Sequence, residues 1–194
     1  NQLTGASLST MWAVQDRFMN NMNFFVEVAK DIGFVGIEIN HSMTEKHIQQ
    51  IRKSAVLPIH GVHGPAPLKI HAGRGENRGL NLASLDPEER TIIINDHIES
   101  IELAADTGAN HVVVHLGHVG EGMLAEEKQL RKSFSTDKFA EEDMISDLVA
   151  SAHSARQEIA GHFLESAKNS LDQLANVASK RGVKTVSYTH LTLP

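Results

Sequence analysis

The chain has 194 residues, 41% of them hydrophobic, no cysteine and a formal charge of −6. That is one domain by length with enough apolar content for a substantial core, and a pI near 6.0 argues against a duplex-DNA binder, which carries a basic face. Disulfides and thiolate metal sites are excluded, no apolar run approaches the roughly 20 residues of a membrane span, and with no signal peptide visible the cytoplasm is the default compartment.

Strands and helices alternate along the chain with regular punctuation. Gly5–Ser9 is the first candidate strand. A helical stripe of Phe25, Val28, Ala29 and Ile32 ends at Gly33, just before a strand over Phe34–Ile39. A short helix over Thr44–Lys53 leads to a strand over Leu57–Val62, with Pro58 tolerated near its start. The glycines of HAGRGENRG have no strand directly before them and read as flexible loop residues. Asp86-Pro87-Glu88-Glu89 is a strong helix start, with Asp as N-cap, Pro at N1 and Glu at N3. Its apolar face runs Ile94, Ile98, Ile101, Ala105, and Gly108 closes it before a strand over His111–His115. Residues 119–160 are a long polar insertion, either a lid above the strand ends or a solvated surface excursion. Leu164, Ala167, Leu171, Leu174 and Ala178 repeat at helical spacing, and Gly182 precedes a strand over Val183–Val186. Such alternation predicts parallel strands joined by crossover helices in a domain spanning 1–186; residues 187–194 read as a non-native tail.

Three strands end in an acid or an imidazole: Glu38, His63 and His115. In a parallel α/β fold the carboxyl ends of strands converge, so these side chains are expected to meet although far apart in sequence. Two His and a carboxylate in one polar crater are raw material for a divalent metal site. Alternation places Gly36 on the side of Glu38, and Gly61 and Ile59 on the side of His63, which sends His60 under a helix. His118, three residues after His115, reaches the crater or caps the loop. Trp12 lies in the first βα loop, where an aromatic stacks on a sugar or packs locally. Asn40 and His41 read as turn residues, and His97, His153 and His162 as solvated helical positions.

The stretch HGPAPLKIHAGRGENRGLNLASLDPEER, followed by a helix and then GANHVVVHLGH, resembles the xylose isomerase-like TIM-barrel superfamily, which includes endonuclease IV and many sugar and sugar-phosphate isomerases and epimerases. The resemblance covers roughly residues 5–186. It implies a (β/α)₈ barrel of which this chain holds the first four to five βα units. It also implies a divalent metal (Zn, Mn, Mg or Co) on His63 and His115, a sugar or sugar phosphate as partner, and for Glu38 a match to the acid at the second strand's end where sugar-active members contact substrate. Beside it, the residues themselves make Glu38 the catalytic candidate and Trp12 and His118 the candidate substrate contacts. The family's fifth strand normally ends in Leu-Glu-Asn with that Glu a metal ligand; here Thr185-Val186-Ser187-Tyr188 stand instead. On these residues the chain holds at most half a site and is expected to be inactive alone.

The leading expectation is therefore a metal-dependent sugar isomerase or epimerase, in which the ion acidifies a C–H beside a carbonyl and a Glu base moves the proton. An endonuclease IV-type zinc enzyme is the second reading. The acidic charge and the lack of clustered Lys or Arg in the mouth loops disfavour nucleic acid. A non-enzymatic half-barrel, pairing through its open sheet edges into a homo-oligomer, is the third.

Overall fold

A computed structural model describes residues 5–120, 122–135 and 142–187. Its strands are β1 (Ser7–Ser9), β2 (Gly36–Ile39), β3 (Ile59–His63), β4 (Ile70–His71), β5 (Gly75–Glu76), β6 (His111–Val113) and β7 (Lys184–Val186). The helices are α1 (Asp16–Met19), α2 (Met22–Ile32), α3 (Glu45–Ser54), α4 (Pro87–Thr107), α5 (Ala125–Ser135) and α6 (Glu142–Arg181). Five strands form one parallel sheet in the order β1-β2-β3-β6-β7, and β4 pairs antiparallel with β5. Among the described residues no helix is long and apolar enough to cross a membrane.

The helix boundaries follow from side-chain chemistry. Asn21 accepts from the Phe24 amide at the start of α2, Thr44 and His47 form a reciprocal capping box on α3, and Asp86 accepts from the Glu88 amide ahead of Pro87. Gly33 (φ 107°) and Gly108 (φ 74°) end α2 and α4 in the left-handed region, which reverses the chain into the next strand at no steric cost. One face of the sheet carries Ile37, Ile39, Val62, Val112 and Val114, all buried against Phe25, Ile48, Ile51, Ile101 and Leu174 of the helices. Each such side chain contributes roughly 1.5–3 kcal/mol by leaving water.

The other face is concave and polar, and there β3 departs from simple alternation. Ile37 pairs with Ile59 but Glu38 pairs with Gly61, so β3 carries one extra residue at His60. Ile59 and Val62 are consequently both buried on the helix side, while His60 and His63 are both half-buried on the concave side. His60 thus does not pack under a helix, and Ile59 does not share a face with His63. The His60 imidazole lies across Gly36 and hydrogen-bonds the Ser7 hydroxyl at 2.8 Å. A Cβ on Gly36 would stand 2.2 Å from His60 Nδ1. Gly36→Ala is therefore expected to cost about 2 kcal/mol in urea unfolding as the ring is pushed off its hydroxyl partner; an unchanged midpoint would mean the ring swings aside freely.

Two further segments differ from the sequence expectation. HAGRGENRG is not a flexible loop: it holds the β4–β5 hairpin, whose strands of two residues each are too short for a periodic signal. The final helix starts at Glu142, well before Leu164, so the 119–160 stretch consists largely of α5 and the first part of α6. Arg156 of α6 binds Glu127 of α5 through both Nε and Nη2 and also bonds the carbonyls of Val119 and Gly122, fastening the segment after β6 to both helices.

Candidate functional site

At the C-terminal ends of β2, β3 and β6 three imidazoles and one carboxylate converge. His63 is the last residue of β3, and His115 lies two residues beyond β6. Their Nε2 atoms stand 2.6 Å apart with the rings stacked at 4.7 Å between centroids. At that separation one Nε2 donates a proton and the other accepts it. The contact survives because β3 and β6 stay paired past their ends, with the Gly64 amide donating to the Val113 carbonyl at 3.0 Å.

His41 completes the group, its ring 5.6 Å from that of His63 and 6.4 Å from that of His115. One nitrogen from each of the three lies within 4.8 Å of the others. His41 is held by its neighbour: Asn40 is buried, its amide donates to Thr10 Oγ1 at 2.7 Å and its Oδ1 accepts from the Ser42 amide at 2.9 Å. A residue read as an ordinary turn position therefore sits in the cluster. The signal available was its place two residues after the end of the strand that carries Glu38.

Glu38 stands beneath the imidazoles, with Oε1 3.6 Å from His63 Nδ1 and Oε2 3.9 Å from His111 Nε2. These are ion-pair distances rather than hydrogen bonds. The adjacent His63 imidazole holds Glu38 below the usual carboxylate range; burial opposes this, and the charges of His63 and His111 add to it. The carboxylate is ionised at neutral pH. Burial pushes His41 down to about 4, helped by His63, Arg78 and His115, and burial with His63 also lowers His115. Both rings are therefore neutral near pH 7, the form that binds a metal.

His118 and Trp12 lie apart from this group. The His118 amide and carbonyl both bond the Asn81 side chain, at 3.1 and 2.9 Å, and the exposed residue borders a cavity of about 410 Å³ with Arg74, Ser84, Asp86 and Phe163. Trp12, 62% exposed, borders an apolar cleft of about 340 Å³ with Leu8, Phe18, Phe25 and Phe34. None of the ring contacts within the imidazole cluster involves it.

His153 and His162 are exposed, but His97 is not: it is 1% exposed between α4 and the loop after β3, and a Cβ on Gly64 would meet its Cδ2 at 3.0 Å. Its Nδ1–H donates to the Ile93 carbonyl at 2.9 Å, and Nε2 has no partner among the described residues. Burial pushes its pKa from 6.5 to about 4, against the Ile93 carbonyl and Asp96, with His115 reinforcing the fall. The unfolded chain takes up this proton first, so the stability is present above pH 6.5 and is lost as pH falls toward 4. Urea unfolding is expected to show about 2 kcal/mol less stability at pH 5 than at pH 7 from this group. His97→Leu should flatten that slope, and a slope equal to the wild type's would place the loss elsewhere.

No protein-family model matches the chain, and neither does any curated protein sequence. Solved structures do. A D-tagatose 3-epimerase-like protein superposes with a TM-score of 0.55 at 18% identity over 94% of this chain and 52% of its own. The D-allulose 3-epimerase of Methylomonas sp. in complex with D-allulose gives 0.57 at 10% identity, over 94% and 50%. The 3-keto-D-glucoside 4-epimerase of E. coli gives 0.55 at 16%, over 93% and 54%. The fold is that of the xylose isomerase-like TIM barrels. The chain spans about half the length of these solved barrels. In TIM-barrel enzymes reaction centres lie at the C-terminal face of the strands, where the imidazole cluster stands here.

Proposed function

We propose that this chain carries the imidazole face of a metal-dependent isomerase or epimerase acting on a sugar or sugar phosphate. The observation that carries this reading is the convergence of His41, His63 and His115 above an ionised Glu38 at the mouth of the partial barrel. The donor set fits a divalent ion of the borderline class, zinc above all, since it offers imidazoles, two of them held neutral, with a carboxylate behind. The His63 and His115 Nε2 atoms, 2.6 Å apart, would have to separate a little for both to hold one ion.

A divalent ion held by these imidazoles would polarise adjacent hydroxyl and carbonyl oxygens of a sugar and so acidify the neighbouring C–H. The chain's own groups supply the rest. The negative charge of Glu38, 3.6 Å from His63 Nδ1, favours the proton on that nitrogen and so leaves the His63 Nε2 lone pair for the cluster. Its ionised carboxylate is also the base of this face, taking a proton from carbon and returning it. The polar floor of His60, His111 and Ser7 lines the concave side below it.

The chain spans about half the length of the solved epimerases, so the 194-residue chain is proposed to bind metal without turnover. The test uses the protein extended to full barrel length, supplied with Zn, Mn or Co and ketohexoses in D₂O. Deuterium is expected to enter beside the carbonyl, and to stop entering in Glu38→Gln and His115→Ala. Turnover untouched by both substitutions would sink the proposal. The close pairing of the His63 and His115 imidazoles also supports an abasic-site endonuclease of the endonuclease IV type as a second reading. It requires salt-sensitive cleavage of an abasic duplex by the same metal-loaded protein.

A further inference from the structure

The hairpin that replaced the expected flexible loop is secured far more firmly than a connector needs. Asn77 is fully buried, and it joins residues 67–69 by three bonds: its amide to the Lys69 carbonyl at 2.9 Å, its Oδ1 from the Lys69 amide at 3.1 Å and its Nδ2 to the Pro67 carbonyl at 3.0 Å. Asp96, buried on α4, receives His71 at 2.7 Å and Lys69 at 3.2 Å from the same segment. The Leu68 amide donates to the Met43 carbonyl at 2.8 Å, tying the hairpin's base to the loop that carries His41.

Two arginines ride on this hairpin and face different tasks. Arg74 is spent on structure, paired with Asp86 at 2.7 Å and Glu88 at 3.2 Å at the start of α4. Arg78 leans toward the imidazoles: its Nη1 donates to Ser42 Oγ at 3.2 Å, one residue from His41, and its charge reaches the His41 ring. Glu76 holds the Nε edge at 2.5 Å, and Nη2 has no partner among the described residues. A guanidinium fixed along one edge with donors left over at a site mouth is the arrangement that takes an oxyanion in a planar fork.

We propose that Arg78 is the anion-recognising residue of this site, and that the substrate carries a phosphate ester or a carboxylate on the carbon chain beyond the part held at the imidazoles. The inference rests on the reading of the imidazole cluster as the reaction centre. It narrows the substrate class from any sugar to an anionic one. It also gives the hairpin its purpose: Asn77 and Asp96 rigidify two strands that are too short to stand alone, so that Arg78 presents its fork at a constant position.

The test uses the full 194-residue chain, metal-free and at constant ionic strength, titrated with inorganic phosphate and separately with acetate while the His41 ring resonances are followed by NMR. Binding is expected, with Arg78→Ala weakening it about tenfold, Arg78→Lys recovering part of the loss, and Glu76→Gln tightening it about threefold. Phosphate preferred over acetate would assign a phosphate ester, and the reverse an acidic sugar. Equal binding by wild type and Arg78→Ala, or no binding of either anion, overturns the proposal. Zinc titration of the same samples separates the two readings. Zinc bound without anion binding removes Arg78's role alone, and Arg78-dependent anion binding without zinc removes the metal reading while the anion site stands.

Discussion

His115→Ala is expected to lower zinc affinity by at least about a hundredfold, the upper end of what even outer-layer changes cost at metal sites. The argument is one of donor count. Three imidazole nitrogens lie within 4.8 Å of one another, and His115 both supplies one and holds His63 in place through a 2.6 Å contact. His115 is exposed and its side chain hydrogen-bonds His63 alone among the described residues, so its removal should leave the unfolding midpoint close to wild type. That separation makes the measurement decisive, because a loss of zinc cannot then be blamed on unfolding. His41→Ala should show a comparable loss if the third nitrogen binds. Because burial keeps His41 neutral down to about 4, its share of the affinity should persist at pH 6, where an ordinary imidazole would already be largely charged. Calorimetric titration with zinc reads all three effects, and an unchanged affinity in His115→Ala would end the metal proposal.

Asp96→Ala is expected to cost about 3 kcal/mol of stability, the low end of the range for removing one partner of a buried ion pair. Asp96 has 4% of its side chain exposed and holds Lys69 on one oxygen and His71 on the other. Lys69 keeps Glu99, but His71 loses its only ion-pair partner among the described residues. The hairpin should then open on the side of α4 while Asn77 still fastens its base, which predicts faster proteolytic nicking within residues 72–75. Asp96→Asn keeps an acceptor for His71 and should cost clearly less. Urea unfolding checks the energy and timed proteolysis the location; a loss under about 1 kcal/mol would mean that Asn77 alone secures the segment.

How far the sequence leads here depends on which interactions are local. The order and direction of the strands were legible because Gly33, Gly108 and Gly182 each stop a helix just before an apolar run, and Asp86-Pro87 opens one. The inward aim of Glu38 and His115 was legible because β2 and β6 keep the period of two. His60 was not, because the extra residue in β3 resets the alternation and only the pairing with β2 reveals it. His41 was missed because its position depends on Asn40 reaching Thr10, a contact thirty residues away in sequence. His97 was misplaced because α4 is covered on two sides, by the sheet and by the loop around Gly64, whereas its spacing showed one apolar stripe. The hairpin was invisible for a similar reason, since buried Asn77 and Asp96 are ordinary polar letters until their partners are known.

The extra residue in β3 also gives that strand one position to spare. Deleting Gly61 would leave every ligand in the sequence and let His60 take the place opposite Glu38, restoring simple alternation. Val62 would stay opposite Ile39 on the helix side and His63 would stay on the concave side. The metal face is therefore buffered against the loss of one residue in this strand, and related strands without the extra residue should still present their last histidine to the same crater.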